Sequence, residues 1–223
     1  MHDAVPDETT LVRFRQRLRA HGLHDKLLGL VNQQLQTQGL ILKICTLVDA
    51  TLLQAARRAP AKDDQNGGEG DAGDTVKQGQ PHSGYKAHVA VEERPTLICA
   101  VTLTAANVHD RREFGNVVQG DEEMVMADKA CWSRARSEWC GQRVVANGIL
   151  CRPGRGEQLR DSAVRANRLF RSIRCRIEKM FGWWKRSTGD RRVRDVGRAA
   201  NRLELEFKGV CWNRKRPAKL SAA

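Results

Sequence analysis

LILKICTLVDATLL, residues 40–53, decides the fold. Ile41, Leu42, Ile44, Leu47 and Val48 form a nearly continuous apolar run, which suits a central strand covered on both faces. One acid, Asp49, stands at the end of that run. Downstream, GYKAHVAVEE (84–93) and TLICAVTLTAAN (96–107) have strand composition and are separated by a turn at Glu93-Arg94-Pro95. They predict an antiparallel hairpin. Residues 110–118 predict a short helix, and EMVMA (123–127) a further strand that ends at Asp128. A helix over 133–142, a short strand over 148–151 and a long basic helix over about 162–187 complete the core. The early strands follow one another too closely for helical crossovers, so the order predicts an α/β core with a mixed sheet flanked by helices rather than a doubly wound parallel fold.

Upstream, Leu11, Phe14 and Leu18, then Leu27, Leu28, Val31 and Leu35, recur at helical intervals, with a break near His21-Gly22. They predict an N-terminal helical segment of two helices, capped by Asp7 and closed by Gly39. The Gly-, Asp- and Gln-rich stretch 57–83 has no apolar periodicity and reads as a long flexible loop. The expected organisation is a helical segment over 1–40, a catalytic domain over 41–216 and a tail over 217–223.

The 223 residues can bury a substantial core. No apolar stretch approaches the ~18 residues of a membrane span, and the start MHDAVPDETT has no secretory pattern. The expectation is a cytoplasmic protein without a membrane partner. Seven cysteines are spread without a CxxC pair, and His82 and His88 have no accompanying cluster, so reduced thiols are expected and a zinc site is not. No phosphate-binding loop of the GxxxxGK[ST] type is present, which removes the expectation of ATP dependence.

The charge is unevenly placed. Residues 151–223 hold 21 Lys/Arg against 7 Asp/Glu, whereas the first 150 hold 18 against 19. Such a basic third suits a polyanion, with nucleic acid ahead of a membrane because no lipid-type amphipathic stretch accompanies the charge. Within the basic helix, Glu178 is the only acid between Asp161 and Asp190, and Arg171, Arg174, Glu178 and Lys185 share one stripe beside the apolar stripe of Phe170, Ile173, Ile177 and Trp184. Two readings stand for the acids. Asp49 and Asp128 are singly explained as cap or turn residues, and Glu178 as the partner of Arg174 one turn away. Together the three carboxylates could hold two Mg²⁺ ions for phosphodiester chemistry, with Arg174 and Lys185 holding phosphates.

The chain resembles the DDE transposases of bacterial insertion sequences, in the insertion sequence five group of the insertion sequence four superfamily. The resemblance is carried by VPDETTLVRFR (5–15), TLVDAT (46–51), GYKAH (84–88), TAANVHD (104–110), MADK (126–129) and the Arg-x3-Glu-x6-Lys spacing of Arg174, Glu178 and Lys185. It implies an RNase H-like core with Asp49, Asp128 and Glu178 as catalytic metal ligands for two Mg²⁺, Mn²⁺ being a substitute. Arg171, Arg174, Lys185 and Arg186 are the expected DNA contacts. The implied partners are double-stranded transposon ends and target DNA, with a homo-oligomer assembled on the DNA and a nucleoid-associated location. The implied reaction is hydrolysis at the element's end followed by strand transfer from the freed 3′-hydroxyl. Arg171 stands where the family has Tyr, and Ala130-Cys131 where it has Gly-Tyr. The family also carries several tens of residues ahead of the segment that begins here at Val5, so the chain is expected to be short or truncated at its N-terminus. A non-catalytic DNA-binding remnant, and an RNase H-like nuclease without strand transfer, are the competing functions.

Overall fold

The computed structural model describes residues 5–57, 69–154, 156–189 and 191–220. Two helices, α1 (Glu8–Ala20) and α2 (His24–Thr37), precede the sheet. The Asp7 carboxylate accepts the Thr10 amide at 2.7 Å, which satisfies one of the orphan donors of the first turn. Gly39 ends α2 with φ +69°, and the Leu40 amide reaches back to the Leu35 carbonyl as in a Schellman stop.

The sheet has six strands: β1 (Cys45–Gln54), β2 (Gly73–Lys77), β3 (Gln80–Glu92), β4 (Ile98–Ala105), β5 (Met124–Ala127) and β6 (Ala146–Asn147). Long β3 pairs antiparallel with β1, β2 and β4; from β1 the sheet continues in parallel to β5 and then β6. This is the mixed, RNase H-like arrangement. Helices α3 (Asp110–Val117) and α4 (Arg134–Gln142) cover one face, and α5 (Asp161–Ser187) crosses the other. On the α5 side, Leu47, Leu53, Val89 and Val91 meet Ile177, Met180, Phe181 and Trp184, as the apolar stripe of the basic helix predicts. Burying each such side chain contributes on the order of 1.5–3 kcal/mol. The opposite face packs Val48, Ala90 and Val125 on Phe114, Val117 and Cys140.

A last helix, α6 (Arg198–Leu220), packs on α2 and β4. Asn213, fully buried, accepts the Ile98 amide and donates to the Ile98 carbonyl, each at 2.8 Å, and it also donates to Asn32 of α2. Asn32 in turn donates to the Ile98 and Cys99 carbonyls. The pair of amides thereby satisfies sheet backbone under both helices.

Four expectations are corrected. β1 begins at Cys45, not Leu40, and extends past Asp49, which therefore lies inside the strand. The loop expected over 57–83 contains β2 and the start of β3, joined at Gln78 and Gly79, both with positive φ as a two-residue primed turn requires. β2 is exposed on its outer residues, so it carries no apolar alternation for sequence reading to find. The rest of that loop, 58–68, lies outside the described residues. Regular strand near 148–151 is confined to Ala146–Asn147, although Gly148 and Leu150 continue the bonding to β5 through the Val125 and Ala127 carbonyls. Finally, α6 stays helical to Leu220, so residues 217–220 of the expected tail are helix, and 221–223 lie outside the described residues.

Candidate active site

The strand register brings the two aspartates together. β1 pairs with β5 only from Cys45↔Met124 to Val48↔Ala127, so Asp49 and Asp128 are the next residues on two neighbouring strands at the point where pairing stops. Strands so paired lie ~4.8 Å apart. β1 continues along β3 while the other chain turns away into a single 3-10 turn, Lys129–Cys131. Asp128 caps that turn by accepting the Lys129 amide at 2.7 Å, and Asp49 accepts the Ala50 amide at 2.9 Å.

Arg174 of α5 lies between them. Its guanidinium is 3.2 Å from the Asp49 carboxylate and 3.6 Å from that of Asp128, with its side chain only 12% exposed. Burial pushes the Asp49 carboxyl above the ordinary aspartate range; Arg174 and the Ala50 amide pull it back, and the nearby charges of Asp128 and Asp110 push it up again.

Glu178 lies one turn beyond Arg174 and is exposed, and it forms no ion pair among the described residues. The local Arg174–Glu178 salt bridge open to the sequence is therefore not made; Arg174 spends its charge on the aspartates. Among the described residues no three His, Cys, Asp or Glu side chains gather closely enough to hold an ion, so two of the three expected ligands meet and the third stands apart. Asp49 and Asp128 are hard oxygen donors side by side, a set that suits Mg²⁺, which takes one or two carboxylates and fills its remaining positions with water and phosphate.

The expected DNA contacts divide by position. Arg171 is exposed and open to solvent, and Arg186, also exposed, donates from Nε to the Gly182 carbonyl. Lys185 is half-buried in a groove at the end of β1 with His82, Lys77 and Arg191. Burial lowers its pKa, and Lys77 and Arg191 add to that by repulsion. Lys77 and Arg191 escaped the sequence reading because one sits in the stretch read as loop and the other follows the helix. Only tertiary packing joins them.

The reverse face of the sheet carries a second polar set that the sequence did not single out. Ala50 is opposite His88 in the register. His88 lies 2.9 Å from the Thr104 hydroxyl and 3.9 Å from Asp110, which pairs with Lys86 at 3.0 Å. The motif TAANVHD contained the signal, since Asp110 opens α3.

The family model described as a transposase DDE domain matches residues 42–214. The chain belongs to the DDE transposase family. That match spans β1, β5 and α5 of the transposase domain, and with them Asp49, Asp128 and Glu178. Two solved structures are similar at low level. The crystal structure of the Mos1 strand transfer complex shares 12% identity with a TM-score of 0.28, covering 97% of this chain and 62% of that one. The crystal structure of a pre-cleavage Mos1 transpososome shares 11% with a TM-score of 0.26, covering 100% and 65%. The transposase chain thus spans less than two thirds of the length of either. No described helix is long and apolar enough to cross a membrane.

Proposed function

We propose that this chain carries the catalytic domain, over 41–216, of an insertion-sequence DNA transposase that hydrolyses a phosphodiester at an element's end and transfers the freed 3′-hydroxyl to target DNA. The observation that carries the reading is the adjacency of Asp49 and Asp128 at the point where β1 and β5 part, under the one guanidinium of Arg174. Its partners are double-stranded transposon ends and target DNA, bound by a homo-oligomer at the nucleoid.

Asp49 and Asp128 would hold the divalent ion, Mg²⁺ or in its place Mn²⁺, with Glu178 completing a two-ion site. Bound there, such ions supply Lewis acidity to phosphate oxygens and favour deprotonation of the attacking oxygen. The chain's own residues prepare that site. Burial raises the Asp49 carboxyl's pKa, and Arg174 opposes that rise. The Ala50 and Lys129 amides fix one oxygen of each aspartate; the second oxygen of Asp49 faces Arg174, and that of Asp128 is left for an ion. α5 sets Glu178 and Lys185 on the same stripe, about 10 Å apart along the helix axis, so phosphates that reach Lys185 pass Glu178.

The test is nicking of end-containing plasmid DNA by the purified full chain with Mg²⁺ or Mn²⁺. Asp49→Ala, Asp128→Ala and Glu178→Gln are each expected to abolish cleavage while leaving DNA binding intact. Retained cleavage in one of them removes that residue from the site. Binding without any cleavage in the wild type replaces the reading with a DNA-binding remnant, and cleavage without joining replaces it with a nuclease.

A further inference from the structure

The guanidinium between Asp49 and Asp128 lies against the oxygen that an ion shared by the two would use. Asp49 gives Oδ1 to the Ala50 amide and turns Oδ2 toward Arg174 at 3.2 Å. Asp128 gives Oδ1 to the Lys129 amide, and Arg174 approaches that same oxygen at 3.6 Å. That distance is beyond a hydrogen bond, so the second contact is charge attraction alone. A divalent ion held by both carboxylates takes Asp49 through Oδ2, the oxygen that no amide occupies. Ion and guanidinium are both positive and repel at such range. They compete for one acceptor.

Arg174 is incompletely bonded where it stands. Its side chain is 12% exposed, yet Nε is buried without a hydrogen-bond partner. A guanidinium pushed off its carboxylates with no other anion to receive it becomes a buried, unpaired charge, which is strongly unfavourable. Glu178, one turn on and exposed, is itself read as a ligand of the ion. The remaining anion that the reaction brings is phosphate. Arg171, three residues back on the same stripe, is exposed and forms no ion pair among the described residues. A DNA backbone that meets Arg171 therefore passes within one helical turn of Arg174. The guanidinium fork suits phosphate oxygens taken in pairs, and Nε is one of its donors.

We propose that Arg174 is an exchange switch: it closes on Asp49 and Asp128 until DNA arrives, then passes from Asp49 Oδ2 to a backbone phosphate and so opens the aspartate pair to the divalent ion. This deepens the transposase reading of the Asp49–Asp128 site and rests on it. Ile177 and Trp184 hold α5 to the sheet, so the exchange is a change of side-chain rotamer with the helix in place. By linkage, DNA and ion strengthen each other's binding by one and the same factor, and part of that factor belongs to Arg174. A guanidinium that only braced the aspartates would have the opposite sign, since its removal would loosen the ion.

The test measures Mn²⁺ binding to the full chain by electron paramagnetic resonance, alone and with an end-containing duplex, after subtracting the duplex's own Mn²⁺ uptake. Wild type should bind Mn²⁺ at least about tenfold more tightly with DNA than without. Phosphate oxygens on the ion supply some of that gain, and Arg174→Met separates the rest. Without DNA, Arg174→Met should bind Mn²⁺ at least about fivefold more tightly than wild type, and its gain from DNA should be smaller by about the same factor. Equal or weaker Mn²⁺ binding by Arg174→Met without DNA overturns the inference, as does an undiminished gain. Mn²⁺ binding that survives Asp49→Asn unchanged places the ion elsewhere and overturns it too. Should Arg174→Met fail to fold by circular dichroism, Arg174→Lys decides: one ammonium cannot span both carboxylates, so its Mn²⁺ affinity without DNA should exceed that of wild type, and an equal or lower affinity overturns the switch. Normal nicking by wild type with no gain in Mn²⁺ affinity from DNA sinks the switch alone. A gain that depends on Arg174 in a chain that never nicks sinks the transposase reading alone.

Discussion

The two faces of the central sheet each set a carboxylate beside a cation close to Asp49, and they use them differently. On the α5 face, Asp49 and Asp128 are 24% and 45% exposed, and their shared counter-ion is a single arginine whose Nε has no partner. On the α3 face, His88 is buried, its ring nitrogens meet Thr104 and approach Asp110, and Lys86 closes the set with both Asp110 and the Val108 carbonyl. The first cluster turns a half-exposed Asp128 to solvent; the second is closed at His88 but leaves Asp110 33% exposed, and the aspartates of both line one small cavity with His88 and Glu113. Charge near a strand end is thus no measure of function. What separates a site from a brace is whether its groups retain bonding capacity toward something outside the fold.

The sharpest break of this contrast is a pair of isosteric changes. Asp49→Asn should reduce metal-dependent nicking by more than the ~10–100-fold typical of losing a partner of a metal ligand, whereas Asp110→Asn should leave nicking within a few-fold. Comparable losses in a nicking time course would merge the two faces into one site. Stability should respond the other way round. Asp110→Asn strands the Lys86 ammonium, whose side chain is 16% exposed, and should cost on the order of 1–3 kcal/mol in urea unfolding.

A smaller effect comes from pH. Burial holds the His88 ring below its ordinary 6.5; Asp110 and Glu113 pull against it, and Lys86 adds to it. The neutral ring therefore contributes stability that is complete above about 6.5 and lost as pH falls through and below that value. The Tm advantage of wild type over His88→Gln should shrink between about pH 7.5 and pH 5; a difference that is flat with pH would show that the ring titrates alike in the folded and unfolded chain.

On the α5 side, Lys185→Ala should lower the salt slope of DNA binding by roughly one, since one phosphate contact is lost. Measured binding isotherms at several salt concentrations with an unchanged slope would remove Lys185 from the DNA path. The least perturbing probe is thiol labelling. Cys175 and Cys211 are exposed and should react first with a disulfide reagent at about pH 8. Cys131 and Cys99, pushed up to about 11 and about 12 chiefly by burial, should wait for unfolding; fast labelling of Cys131 would mean that the α3 face opens.

Much of the fold is local and was legible in the chain. Apolar runs marked β1, β3, β4 and β5; periodicity marked α1, α2 and α5; Asp7 and Gly39 marked where two helices start and stop. The misses share one cause. β2 has no buried face of its own, and β6 is two residues set by its bonds to β5, so neither leaves a pattern in the sequence.

The candidate site divides in the same way. Sequence alone supplied Asp49, Asp128, Glu178 and the basic stripe of α5, because each is defined by its own element and spacing. Tertiary structure decided who meets whom. The register of β1 on β5 sets the two aspartates side by side, and the packing of Ile177 and Trp184 on the sheet carries Arg174 between them, while Glu178 is left at the surface. Spacing within a helix offers Arg174 a partner one turn away; burial chooses the aspartates, since a guanidinium withdrawn from water gains most from the charges withdrawn with it.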